Sequence, residues 1–172
     1  MYCIHRTIDP DTGVLLAEEY RYNHRLHRDA KEGPALRTWQ QERHIVVSET
    51  YYWHGRVHRI DGPARLYYNL NGVLVDEEYL RHGRLHRDPK EGPALINRDR
   101  TGSVVIREAY FFNDELYRDP ADGPVQIGRG DTGKIEFAVY CDSKQKPPPQ
   151  RPSRTPASYK NYPSYTLRPQ PN

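Results

Sequence analysis

The residues with the most chemical potential in this chain are its histidines, arginines and aspartates, and they keep the same company. His27-Arg28-Asp29 and His86-Arg87-Asp88 spell a tripeptide that carries the catalytic aspartate of phosphotransfer enzymes. That chemistry also requires a downstream asparagine for magnesium, a glycine-rich loop, a strand lysine and an Asp-Phe-Gly run. The sequence has none of these in place, and the tripeptide recurs. Catalysis needs one asymmetric constellation in a pocket, whereas here the same residues return as copies. No catalytic residue is assigned, and the expectation is a protein that is not an enzyme.

Metal binding is the second chemistry to weigh. Histidines fall in near pairs, His24 with His27, His54 with His58 and His82 with His86. Zinc needs three or four convergent ligands. The recurring segment supplies no cysteine, and Tyr117 stands where a fourth histidine belongs. The reading is a stacked aromatic ladder beside arginine, with no metal and no cofactor.

What positions these residues is an internal repeat, the feature to seek before any other. Four units span about 11–40, 42–69, 70–99 and 100–130, and a half unit, DTGKIEFAVYC, covers 131–141. Equivalent tyrosines are Tyr20, Tyr51, Tyr79 and Tyr110. Seven residues after each come His27, His58, His86 and Tyr117, followed by Arg28, Arg59, Arg87 and Arg118. An acid–Gly–Pro triplet then closes each unit, with Gly33, Gly62, Gly92 and Gly123 at its centre. Unit two is two residues shorter between Arg59 and Gly62. The repeated tyrosines, arginines and glycines are read as structural.

Each unit opens with an aliphatic run such as Ile45-Val46-Val47 or Val73-Leu74-Val75 and ends it in aromatics, the pattern of a strand. The runs stop at Asn23-His24, His54-Gly55, His82-Gly83 and Asn113-Asp114. These residue types tolerate positive φ, so each dipeptide predicts a two-residue type I′ hairpin turn. The acid–Gly–Pro triplet predicts a second turn. A third falls between units at Asn71-Gly72, Thr101-Gly102 and Thr132-Gly133. Alternation along the strands places Glu18, Glu49, Glu77 and Glu108 on the face of the repeated tyrosines. Four like charges in a row repel, so Glu–Arg pairing is expected, with the repeated arginine as counter-ion.

Composition agrees with a thin sheet rather than a thick core. Apolar residues make up 35% of the 172, and 14 tyrosines stand against 3 phenylalanines and 1 methionine. Tyrosine covers area while keeping a wet hydroxyl, which suits half-buried faces and interfaces. The net charge of +3 hides a division, because no acid follows Asp142 while six of the 26 basic residues do. Positions 1–142 therefore carry 20 basic against 23 acidic residues, and a uniformly basic body for nucleic acid is not indicated. Cys3 and Cys141 lie at opposite ends of the repeat body and are read as free thiols in a reducing, cytoplasmic compartment. No secretory apolar segment opens the chain, and no apolar run is long enough to cross a bilayer.

The repeat resembles the MORN repeat, in the variant written YxxGxxHRxDGPA. Its cleanest copy is YWHGRVHRIDGPARL at 52–66, and the resemblance covers about residues 11–140. His24 and Asp114 depart from it by replacing a turn glycine, and Tyr117 by replacing histidine. The resemblance implies an all-β, elongated, single-layer antiparallel sheet of hairpins acting as a scaffold for protein or membrane contacts. Short proteins of this type occur in bacteria, phages and large DNA viruses. The resemblance thus extends to a phage or viral inhibitor that binds a host protein.

Two binding surfaces follow. On a repeat domain covering 1–142, exposed aromatics Tyr52, Trp53, Tyr67, Tyr68, Phe111 and Phe112 are the candidate anchors for a protein partner, since tyrosine and tryptophan dominate binding hot spots. Residues 143–172 form a basic Pro/Tyr-rich tail with eight prolines and almost no aliphatics, a composition expected to be disordered. Its 146–152 segment, with Lys146, Pro149 and Pro152, matches a basic-x-x-Pro-x-x-Pro ligand of aromatic grooves. Tyr159, Tyr162 and Tyr165 between basic residues suit base stacking or a partner protein. A membrane- or nucleic-acid-associated adaptor is the alternative function, and a homo-dimer through open sheet ends is compatible with either.

Overall fold

The computed structural model describes residues 1–141, and it is all β. In chain order the strands are β1 (Tyr2–Ile8), β2 (Leu15–Tyr22), β3 (Arg25–Leu26), β4 (Leu36–Gln40), β5 (Ile45–Thr50), β6 (Tyr52–Trp53) and β7 (Arg56–Val57). Then follow β8 (Arg65–Tyr68), β9 (Leu74–Glu78), β10 (Leu80–Arg81), β11 (Arg84–Leu85) and β12 (Leu95–Arg98). The last are β13 (Val105–Ala109), β14 (Phe111–Phe112), β15 (Glu115–Leu116), β16 (Gln126–Arg129) and β17 (Ile135–Val139). No α-helix occurs among the described residues, and none there is long and apolar enough to cross a membrane.

Ten strands form one antiparallel meander in the order β1-β2-β4-β5-β8-β9-β12-β13-β16-β17. Every neighbour in it is also a neighbour in sequence once the small hairpins are set aside, so the sheet grows one unit at a time. The small hairpins β6–β7, β10–β11 and β14–β15, with β3 on the end of β2, run along one margin of the sheet. They are tied in series: Gly55 N–H donates to the Leu26 carbonyl, Gly83 to Val57 and Asp114 to Leu85, at 2.8, 2.7 and 2.9 Å.

Turn chemistry explains this layout. At all four predicted dipeptides both residues have φ between about +48° and +84°, from Asn23 (48°) and His24 (64°) to Asn113 (54°) and Asp114 (70°). That is the type I′ geometry whose twist matches flanking strands. The turns at Gly72, Gly102 and Gly133 also sit at positive φ, and each leads out of a register shift in the adjoining pair. Such bulges bend the strand and increase its local twist. Between units one and two His44 supplies the positive φ instead, at 52°.

The core is thin. Ala35, Ala64 and Ala94 are fully buried, and among the described residues Val57, Ala64 and Leu80 form a cluster of buried apolar residues, with Tyr52 and Leu85 against it. It lies where the hairpin strip meets the main sheet. Cys3 on β1 and Cys141 after β17 are both free and belong to opposite margins of the meander.

Candidate functional site

The repeated residues form one device, used four times. Arg28 lies over the Tyr20 ring with its guanidinium carbon 3.7 Å from the centroid. Arg59 over Tyr51, Arg87 over Tyr79 and Arg118 over Tyr110 do the same at 4.1, 3.9 and 4.1 Å. Each arginine also donates from Nη1 to the proline carbonyl of its own triplet: Pro34, Pro63, Pro93 and Pro124, at 3.1–3.3 Å. The guanidinium is thus fixed between an aromatic face and a backbone acceptor, a pairing that its planar, delocalised charge suits.

The glycine before each proline makes room for it. A Cβ on Gly92 would stand 2.9 Å from Arg87 Nη1, and one on Gly62 3.0 Å from Arg59 Cζ. Gly33, Gly92 and Gly123 combine this with φ of 116–133°, a region open to glycine. In the shortened unit two, Gly62 is not in that region, and the close approach of the Arg59 guanidinium is the constraint on a side chain there.

The histidine and aspartate of the tripeptide are equally engaged. Asp29 and Asp88 accept from the backbone N–H of Lys31 and Lys90 at 2.9 Å, capping the turn. His27 accepts at Nδ1 from His54 N–H at 3.1 Å, and the two rings stack at 4.4 Å. His58 and His82 repeat this at 3.2 and 4.3 Å. In the next step Asn113 replaces the turn histidine, and its Oδ1 meets His86 Nδ1 at 3.0 Å. The histidines thus stack as a ladder that runs between units, because each reaches the turn of the following hairpin. Among the described residues no small hairpin follows the fourth unit, and Tyr117 sits edge-on to Phe112.

The surroundings of these histidines favour the neutral form. Burial, reinforced by the neighbouring His54, lowers the His27 pKa to about 4. Burial, with His82 and Arg81 adding to it, lowers His58 to about 4 as well. His54, His82 and His86 shift the same way, each chiefly through burial. No cluster of three or more histidine, cysteine or acidic side chains suited to a metal occurs among the described residues.

The glutamate row corrects one expectation. Glu18, Glu49, Glu77 and Glu108 do pair with arginines, but with Arg6, Arg37, Arg98 and Arg129 from neighbouring strands. Arg6 sits directly opposite Glu18, and Arg37 opposite Glu49, at 2.9 and 2.6 Å. The repeated arginines are held over the tyrosines at the sheet margin. An intervening strand separates successive glutamates, so they do not stack on one another. Burial raises the Glu18 pKa, but hydrogen bonds from Arg6 and Tyr20 outweigh it and leave it low. The Tyr68 hydroxyl donates to Glu49 at 3.0 Å, and burial beside that carboxylate pushes its pKa up to about 12.

The candidate anchors divide by environment. Tyr67 is exposed on the sheet face, in a cross-strand row that runs Thr38, Ser48, Tyr67, Asp76, Asn97, Arg107. Thr38 bonds Ser48 and Asn97 bonds Asp76 within this row, both at 2.6 Å. The other five anchors are half-buried: Trp53 packs on His27, Phe112 on His86, Tyr52 on the core cluster, and Tyr68 bonds Glu49. Phe111 pairs with Leu116 across its hairpin. Lys146, Pro149, Pro152, Tyr159, Tyr162 and Tyr165 lie outside the described residues.

Sequence reasoning missed the alanine of the triplet's flank and the strand arginines. Ala35, Ala64, Ala94 and, in unit four, Val125 each accept the N–H of the repeated tyrosine at 2.7–2.8 Å. Their signal was their fixed place one residue after the proline. A shallow groove of about 410 Å³ runs between units two and three, lined by Arg59, Asp61, Tyr79, Arg81, His86 and Arg87 among others. Arg59 and Arg87 there are the clamps already described. No protein-family model, no curated protein and no solved structure matches the chain.

Proposed function

We propose that this chain is a non-enzymatic, MORN-type repeat module that binds another protein through its sheet. The observation that carries this reading is that the chemically potent repeated residues are committed to one another. Histidine meets the next turn, arginine clamps tyrosine and proline, and aspartate caps a backbone N–H. What remains for a partner is the sheet surface, where Tyr67 and Arg107 are exposed in a half-buried polar row that crosses six strands. A rigid face with an aromatic at its middle and hydrogen-bonding groups around it suits a protein interface. The resemblance to HRxDGPA-type proteins supports the narrower reading, an inhibitor of a host protein acting in the cytoplasm.

The test compares the full chain with its Tyr67→Ala, Asn97→Ala variant as baits in source or host lysate, at low and high salt. Retention of one protein by the wild type at both salts, lost in the variant, supports the reading. Retention of nucleic acid or lipid alone, lost as salt rises, would replace it with an adaptor worked by the six basic residues after Asp142.

A further inference from the structure

β1 and β17 are the outermost strands of the sheet among the described residues, and each is half of a repeating unit. In the interior, a strand ending in the repeated tyrosine pairs with one that begins after Gly-Pro. That junction has a fixed register: Ala17↔Thr38, Glu18↔Arg37 and Glu19↔Leu36 in unit one, and Ser48↔Tyr67, Glu49↔Leu66 and Thr50↔Arg65 in unit two. β17 is a strand of the first kind, because Ala138 pairs with Ile127 as Glu49 pairs with Arg37. Tyr140 is then the fifth repeated tyrosine, and it is 62% exposed. β1 is a strand of the second kind, because Arg6 pairs with Glu18 as Arg37 does with Glu49. Ile4 then holds the place of Ala35, whose carbonyl accepts the Tyr20 N–H.

We infer that a second copy of this chain docks head to tail, its β1 pairing antiparallel with β17 of the first copy and completing one repeat unit across the contact. The register is set by the interior junctions: Phe137 opposite Thr7 of the second copy, Ala138 opposite Arg6, and Val139 opposite His5. Tyr140 N–H then faces the Ile4 carbonyl. Both edges present apolar side chains to solvent, Ile4 and Ile8 on one and Ile135, Phe137 and Val139 on the other. An open strand edge with such side chains is a template for pairing. No like charges meet in this register, whereas β17 against a second β17 would bring two copies of Glu136 toward the same contact. The contact lacks the Arg–Tyr–Pro clamp, since neither half contributes one, so it is weaker than the interior junctions and reversible. Because the two surfaces differ, the contact is heterologous and generates chains or rings rather than a closed two-fold dimer.

Within one copy Val139 and His5 lie nine strand spacings apart, on the order of 40 Å at about 4.8 Å per spacing. A charge pair between them can form only across two copies. Sedimentation velocity over a concentration series of the full chain tests this with two double variants. Val139→Glu with His5→Glu places like charges in register, and Val139→Glu with His5→Lys places opposite ones there. The expected result is concentration-dependent association of the wild type, with the Glu/Lys variant associating about fivefold or more tightly than the Glu/Glu variant. Matched thermal melts of the two variants confirm that both fold. A wild type that stays monomeric throughout, or association indifferent to the sign of residue 5, would overturn the inference. Partner capture by a monomeric wild type would still stand, so this failure is separate from that of the protein-binding reading.

Discussion

The guanidinium carbon of Arg87 lies 3.9 Å from the centre of the Tyr79 ring while Nη1 of the same group donates to the Pro93 carbonyl at 3.1 Å. This contact ties the end of one strand to the start of the next, so it closes the unit that the small hairpin opens. It recurs four times in a sheet whose core is thin. Repeat architectures gain stability unit by unit and interface by interface, and here both links are polar and aromatic.

Gly92 and Gly13 separate two kinds of glycine. Both have positive φ, but a Cβ at Gly92 would stand 2.9 Å from Arg87 Nη1, while at Gly13 nothing lies within 4 Å. Gly13→Ala should cost about 1 kcal/mol from backbone strain alone. Gly92→Ala should cost roughly 2 kcal/mol, because a φ of 133° is harder for a side chain to adopt than that of Gly13 and the Arg87 guanidinium must also shift. Urea unfolding of the two variants gives the ranking.

Acid should destabilise the protein before its carboxylates titrate. His27 and His58 have folded pKa values near 4 against 6.5 in an unfolded chain. Above pH 6.5 neither state binds the proton. Between 6.5 and about 4 the unfolded state binds it and the folded state does not, so stability falls as pH falls. Each histidine contributes a slope on the order of 1 kcal/mol per pH unit in that window. Urea midpoints at pH 7.5 and 5 should differ accordingly. His58→Gln, which keeps an acceptor for His82 N–H, should reduce the difference.

The ion pairs should not be equivalent. Arg37 and Glu49 are directly opposed and partly buried, and Glu49 also accepts from Tyr68. Arg37→Met leaves that carboxylate short of a cation and should cost roughly 1–2 kcal/mol. Asp61, largely exposed beside Arg59, should cost under about 0.5 kcal/mol as Asp61→Ala. Denaturant midpoints at fixed pH distinguish them.

How much of this was legible in the sequence depended on whether a feature is local. The type I′ turns could be read because positive φ leaves a short menu of residues, and His24 and Asp114 are on it as glycine is. The all-β meander followed from the period of the repeat and its turns. The partner of each repeated arginine could not be read, since Glu18 and Tyr20 lie on one face and only the sheet's margin decides which Arg28 reaches. The stacked histidine ladder could be read as a ladder, but its partners could not. His24 and His27 are close in sequence, but the ladder runs from His27 to His54 across two hairpins. Of the six aromatic anchors, Tyr67 alone is exposed, because aromatics in a thin sheet are also its core. Their part in binding rests on the lysate comparison.

The clamp itself is tested most directly by a double-mutant cycle on Tyr79 and Arg87, using Tyr79→Leu, Arg87→Met and both together, read by urea unfolding. A ring–guanidinium contact of this kind predicts a coupling energy of about 1 kcal/mol, with the double variant losing less than the two single losses combined. Losses that add to within about 0.3 kcal/mol would show that tyrosine and arginine act independently. The clamp would then not be what closes the unit.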